Sequence, residues 1–258
     1  MITNTMPRKR PVYESLTING ISSLDYGLRL AYTPNLDKKA KRNFISYPIP
    51  GRNGNLTVDG GRYENVDIEY TLNCAAGYGP AVADFIDLVN SMEGYMVFHD
   101  SFHPDEYVEA KANGEAEAES NAFYNRGIVK IPVTRKPQRF LYDGQTPREV
   151  VAGHAVRFAN PTNQPALPLI EVVMSAETAM ITWGLGAITL TENPNQKIII
   201  DSELREIYTA SGTDYFSKCS FSATMTKNGR FPVFAAGETA VSCNGISEMR
   251  IFPRWWRL

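Results

Sequence analysis

The stretch from Tyr47 to Leu72, YPIPGRNGNLTVDGGRYENVDIEYTL, constrains the fold more than any other part of this chain. Pro50-Gly51, Asn53-Gly54 and Asp59-Gly60-Gly61 are all turn signals, because their residues tolerate positive φ, and they predict repeated chain reversal. Val66, Ile68, Tyr70 and Leu72 then alternate with Asp67, Glu69 and Thr71. Period-two alternation gives a strand one apolar and one polar face, so the segment predicts an antiparallel sheet with a single buried side.

The same pattern recurs along the chain. Asn-Gly pairs begin at Asn19, Asn53, Asn113, Asn228 and Asn244, and Asp143-Gly144 adds another turn. Short apolar or alternating runs lie between them: Ile128 to Val133, Ala187 to Leu190, Lys197 to Asp201, Cys219 to Met225 and Met249 to Phe252. Many short strands separated by turns point to β-sandwich or barrel units. One helix interrupts them, over about 80–93. Val82, Phe85, Ile86, Val89 and Met92 share one helical face, Pro80 suits the first turn, and Gly94 suits the stop. The prolines, charges and Asp-Gly between Lys136 and Arg148 suggest a boundary, giving an N-terminal domain over 1–142 and a C-terminal domain over 143–258. Asn113 to Ser120, NGEAEAES, reads as an acidic loop or hairpin tip.

Composition narrows the function classes. A chain of 258 residues, 43% hydrophobic and 21% charged, has the make-up of a globular protein of one or two domains. A net charge of -2 is the wrong balance for a dedicated nucleic-acid binder. Cys74, Cys219 and Cys243 are odd in number and lack metal-site spacing, so the expected role is burial as small hydrophobes. The N-terminal MITNTMPRKRP lacks the apolar run of a secretory signal, and no run is long enough to cross a bilayer as a helix. Synthesis in a cytosol is expected.

The residues offer four chemistries. Gly77-Tyr78-Gly79 before the helix, with Asp100 after the next apolar run, imitates a dinucleotide fingerprint. Val82 occupies the position that wants Gly or Ala, and the preceding strand alternates as a parallel central strand should not. His99, Asp100, His103, Asp105 and Glu106 form a metal-like cluster, but Pro104 disfavours the helical geometry that a His-x-x-x-His pair needs. No Gly-x-Ser-x-Gly elbow exists, and His154 is the only further histidine. Trp183, Trp255 and Trp256 raise a carbohydrate-binding β-sandwich in host-surface adhesion as the alternative function, although adjacent Trp255 and Trp256 would face opposite sides of a strand. The expectation is no enzyme, no cofactor, and no catalytic, cofactor-binding or metal residues.

Taken in order, several segments resemble the distal tail protein (Dit) family of long, non-contractile-tailed bacteriophages. Ile18-Asn19-Gly20-Ile21-Ser22-Ser23 followed by Asp25-Tyr26-Gly27-Leu28 resembles its opening motif. Ile49-Pro50-Gly51-Arg52-Asn53-Gly54 resembles its proline-glycine-basic turn, and Tyr63-Glu64-Asn65 precedes the alternating strand as there. Pro104-Asp105-Glu106-Tyr107 and Lys136-Pro137-Gln138-Arg139-Phe140 match later segments, as do Ile198 to Leu204, Gly229-Arg230-Phe231-Pro232 and the ending Phe252-Pro253-Arg254-Trp255-Trp256. The resemblance implies a mainly β fold: an N-terminal β-sandwich or split-barrel-like domain with one helix, and a C-terminal galectin-like β-sandwich. It implies a structural hub of the phage tail tip, a hexameric ring around a central DNA channel. Such a ring joins the tail tube protein to a tail-associated lysin or tail-fibre-like protein, and in some phages to a receptor-binding protein. DNA would pass without specific binding, nothing would insert in a membrane, and the protein would reside in the virion tail tip after synthesis in the host cytoplasm.

Overall fold

The computed structural model describes residues 14–74, 79–121, 126–184, 186–192, 194–223 and 230–258. It divides into two compact units, Met1–Arg139 with Leu258, and Phe140–Arg257.

The first unit is built on β1 (Leu16–Ile18), β2 (Ile21–Ser22), β3 (Leu28–Ala31), β4 (Arg42–Pro48), β5 (Asn55–Tyr63), β6 (Val66–Cys74), α1 (Pro80–Asn90), β7 (Met96–Asp100), β8 (Glu106–Ala112), β9 (Glu117–Asn121) and β10 (Arg126–Leu141). Its main sheet runs β2–β1–β7–β8–β10–β6–β3, and β9 pairs with the start of β10. The alternation of β6 is realised: Val66, Ile68, Tyr70 and Leu72 are buried, and the register sets Val129 opposite Leu72 and Ile131 opposite Tyr70. Helix α1 puts Val82, Phe85, Ile86 and Val89 into the same core cluster, with Phe85 ring to ring against Tyr26 at 5.2 Å. At eleven residues this helix is too short to persist alone, so its apolar face holds it in place.

Asn19 and Gly20, both at positive φ, make the tight reversal between β1 and β2. Asp59-Gly60-Gly61 does not reverse the chain. It lies inside β5, where the register with β4 shifts between Arg42 and Phe44. Gly61 takes φ 72° and donates its N–H to Asp59 Oδ1 at 2.9 Å, so the triplet forms a bulge that bends a continuing strand. NGEAEAES is only partly a loop, since Glu117–Asn121 pairs with β10, Ala116 is buried, and Lys130 Nζ reaches Glu119 at 2.6 Å. The Asn228 turn lies outside the described residues.

The second unit has two five-stranded antiparallel sheets. With β11 (Arg148–Glu149), β12 (Val156–Asn160), β13 (Leu169–Met174), β14 (Thr178–Trp183), β15 (Gly186–Thr191), β16 (Lys197–Asp201), β17 (Glu206–Thr209), β18 (Cys219–Ala223), β19 (Gly237–Asn244) and β20 (Ile246–Phe252), the orders are β11–β20–β13–β16–β17 and β12–β19–β14–β15–β18. Residues of both sheets share one core, including Ile170, Val172, Ile181, Ile188, Ile198 and Ile251. This is a β-sandwich. The chain is therefore mainly β with one α-helix among the described residues.

Candidate functional site

The β4–β5 hairpin departs most from an ordinary core-and-surface arrangement. The two strands pair only with each other, as a separate two-stranded sheet. Phe44, Ile45, Tyr47, Ile49, Leu56 and Val58 are all substantially exposed, from 36% to 58%. At roughly 150–250 Å² for a large side chain, half-exposure of six leaves on the order of 600 Å² of apolar surface uncovered. The register puts Ile45, Tyr47, Leu56 and Val58 on one side of the ribbon and Phe44 on the other, so this surface is divided between its two faces. The tip turns through Gly51 (φ 76°) and Gly54 (φ 84°), both in the motif Ile49 to Gly54. Near the base, Arg42 grips Asp59 through Nη2 at 2.7 Å and Nε at 3.0 Å. The expectation of a sheet with one buried side holds for β6 and fails for β4–β5, because no second layer covers the hairpin among the described residues.

The root of this arm is anchored by two buried arginines of β10. Arg135 donates from Nη2 to Lys38 O at 2.5 Å and from Nη1 to Lys136 O at 3.1 Å. Arg139 sits in a cluster with Asp37, Asp100, His103 and Glu106. His103 Nδ1 is 2.8 Å from Asp100 Oδ1, and its Nε2 is 2.8 Å from Asp37 Oδ1. Both ring nitrogens thus face carboxylate oxygens, which can only accept when ionised, so the arrangement calls for a proton on each. Arg139 Nη2 also lies 3.2 Å from His103 Nδ1, a competing contact. The two shorter Asp100 contacts assign the Nδ1 proton to the carboxylate. Arg139 Nε lies 3.2 Å from Glu106 Oε2, within ion-pair range but out of line for a hydrogen bond. Asp100 is set by its own turn, accepting from the N–H of Phe102 and of His103 just past the end of β7. Partial burial opposes ionisation of Asp37, but hydrogen bonds from Tyr32 and His103 and the charges of His103 and Arg139 outweigh it and hold the carboxyl below its ordinary value.

The residues singled out in the sequence thus have definite places. His103, Asp100 and Glu106 come together around Arg139, which joins the segments Pro104 to Tyr107 and Lys136 to Phe140. His99 turns aside, with Nδ1 2.9 Å from Glu106 O, and its imidazole is held below its usual range chiefly by burial. Among the described residues, no three His, Cys, Asp or Glu side chains are placed to hold a metal ion. Gly77 and Tyr78 lie outside the described residues, but β6 is flanked by antiparallel β10 and β3, so no parallel βαβ unit forms there. Trp183 and Trp255 are buried, and half-buried Trp256 donates its indole N–H to Pro165 O at 3.0 Å. None offers the open platform that sugar stacking needs. Burial raises the Cys219 thiol to about 12, with Asp214 adding to the shift.

No family model and no curated protein matches the chain. Solved structures do. The Dit protein of phage SPP1, described as a paradigm of the hub of the adsorption apparatus in phages that infect Gram-positive bacteria, superposes with a TM-score of 0.67. The match covers 95% of this chain and 99% of that one at 11% identity. The chain has the distal tail protein fold. Two structures of the phage p2 baseplate in its activated conformation, with calcium and with strontium, give TM-scores of 0.52 and 0.53 at 10% and 11% identity. They cover 93% and 96% of this chain. The Dit-like fold therefore spans both units and is not confined to a shared sandwich.

Proposed function

We propose that this protein is a structural hub of a long, non-contractile phage tail tip. Six copies form a ring around a channel through which DNA passes unbound. The N-terminal unit makes the ring, and the C-terminal sandwich is a separate outward domain. The ring joins the tail tube protein to a tail-associated lysin or tail-fibre-like protein, and in some phages such a ring also carries a receptor-binding protein. The observation that carries this reading is the likeness to the SPP1 Dit protein over 95% of the chain. The exposed arm agrees with it, since an oligomer can supply a layer over it that is missing among the described residues.

No catalytic role is part of the proposal. Three histidines are present, and the one drawn into a polar cluster, His103, is spanned by carboxylates and an arginine with no open position for a reacting group. A net charge of -2 suits a channel that must release DNA, because a basic lining would exchange counterions for phosphates and retain it. Glu115, Glu117 and Glu119 are assigned to that lining. Light scattering and negative-stain microscopy of the purified chain at micromolar concentration test the ring. A six-fold particle with an open centre is expected, and a monomer at every concentration up to the high micromolar range overturns the proposal.

A further inference from the structure

The chain enters the arm through a short root. Beyond β3 it makes a 3₁₀ turn over Pro34–Asp37 and reaches β4 at Arg42. Three kinds of contact hold that root. Leu36 is buried in the core of the first unit. Arg135 donates to Lys38 O, and Lys38 Nζ donates to Asp67 O at 2.9 Å. The Asp37 carboxylate is held between Tyr32 and His103. Burial lowers the Arg135 guanidinium to about 10, which leaves it charged at pH 8. Among ordinary side chains only histidine changes charge between pH 5 and 8, so the contact of His103 with Asp37 is the anchor that a proton can remove.

Charged or titratable groups face His103 from several elements. Asp100 lies at the end of β7, Arg139 on β10 and Asp37 on the root. Glu106 opens β8 beside Arg139, His99 stands on β7, and Tyr32 holds the far oxygen of Asp37. With two protons the imidazole donates from Nδ1 to Asp100 and from Nε2 to Asp37, both at 2.8 Å. With one proton it can serve only one carboxylate. The two are not equivalent, because the Asp100 side chain is 6% exposed and that of Asp37 is 46% exposed. A carboxylate deprived of its donor is destabilised far less where water can replace that donor. Moving the last proton to Nε2 would let Nδ1 accept from Arg139 Nη2 at 3.2 Å, but would set its lone pair against buried Asp100. The proton therefore stays on Nδ1, and the bare lone pair of Nε2 repels Asp37.

We infer that His103 is a proton-operated latch on the root of the arm, closed onto Asp37 while the imidazole is charged and open once it is neutral. The latch belongs to the single chain and does not depend on assembly. A bond made only by the protonated histidine is present at low pH and is lost as pH rises through the folded-state value. Closing also needs an ionised Asp37, so the latch has an acid limit set by that carboxyl and a basic limit set by the imidazole. Opening leaves Leu36 and Arg135 in place. It frees the end of the turn and the lead into β4 without unfolding the unit.

The test is amide hydrogen exchange of the full chain, read by mass spectrometry over 33–41, where Lys38 N donates to Asn35 O at 3.2 Å. After correction for intrinsic base catalysis, protection there should fall at least about 10-fold between about pH 6 and 8, as the loss of one hydrogen bond to a charged group requires, while α1 keeps its protection. Two variants fix the latch in either state. His103→Gln sets an amide N–H near the place of Nε2 and should keep the high protection at both pH values. His103→Asn sets it near the place of Nδ1 and should give the low protection at both. A parent chain whose protection over 33–41 is level across this range overturns the inference, and so does an Asn variant that keeps the parental pH response. The first measurement is made on the parent chain, so it decides the matter even where a variant fails to fold.

Discussion

Replacing Arg139 by Met probes a buried ionic cluster of the first unit. The guanidinium is 4% exposed and faces Glu106, Asp100 and His103, with Asp37 at 3.8 Å. Methionine fills much of the same volume but takes from Glu106, 3% exposed, the guanidinium that lies 3.2 Å away, and leaves His103 as the charged neighbour of Asp100. Removing one partner of a buried ion pair in this way costs about 3–5 kcal/mol. That is a large share of the roughly 5–15 kcal/mol that holds a domain folded. With a urea dependence of about 2 kcal/mol per molar, the midpoint for the first unit should fall by about 2 M. The two units report separately, because all three tryptophans, Trp183, Trp255 and Trp256, belong to the second. Far-UV circular dichroism should therefore show an early transition in the variant, while tryptophan fluorescence keeps its parental midpoint. A midpoint shift below about 0.5 M would falsify the account of a charge-locked root.

Phe85→Asp should abolish cooperative melting of the first unit, because it places a carboxylate at a fully buried position of α1; an unchanged circular dichroism melt refutes the packing of this helix. Asp37 is an acid whose folded-state value is depressed below 3.8, so its stabilising effect is complete above that pH and is lost as pH falls through the folded value. Asp37→Asn should accordingly flatten the acid limb of the stability profile, and an unchanged limb removes Asp37 from the root. Gly245 has φ 69°, and an added Cβ would sit 2.4 Å from Thr178 O, so Gly245→Ala should cost the second unit at least about 1–3 kcal/mol in urea titrations read by tryptophan fluorescence. Cys219, with its thiol raised to about 12, should react with an aromatic disulfide reagent far more slowly at pH 8 than an unhindered thiol; labelling at the rate of free cysteine contradicts that burial.

Local pattern was enough to place β6, α1, the Asn19-Gly20 turn and β16, because each depends on residues near in sequence: an alternation, a helical stripe, a pair tolerant of positive φ. The ordered motifs also pointed to the distal tail fold, which the superposition with the SPP1 protein bears out. The tertiary structure decided what those signals could not. Apolar residues in β4 and β5 read like any half-buried hairpin, and only the absence of a second layer among the described residues turns them into an arm. β10 runs to Leu141, whereas its apolar alternation stops at Val133, because the inward positions Arg135 and Arg139 are cations. An inward arginine resembles a loop residue until its partners are known. Arg135 also bonds its own strand at Lys136 O, but Lys38 O for it and Asp37, Asp100 and Glu106 for Arg139 lie far away in sequence. Charge pairing inside a fold depends on distance in space, and a linear pattern carries no measure of it.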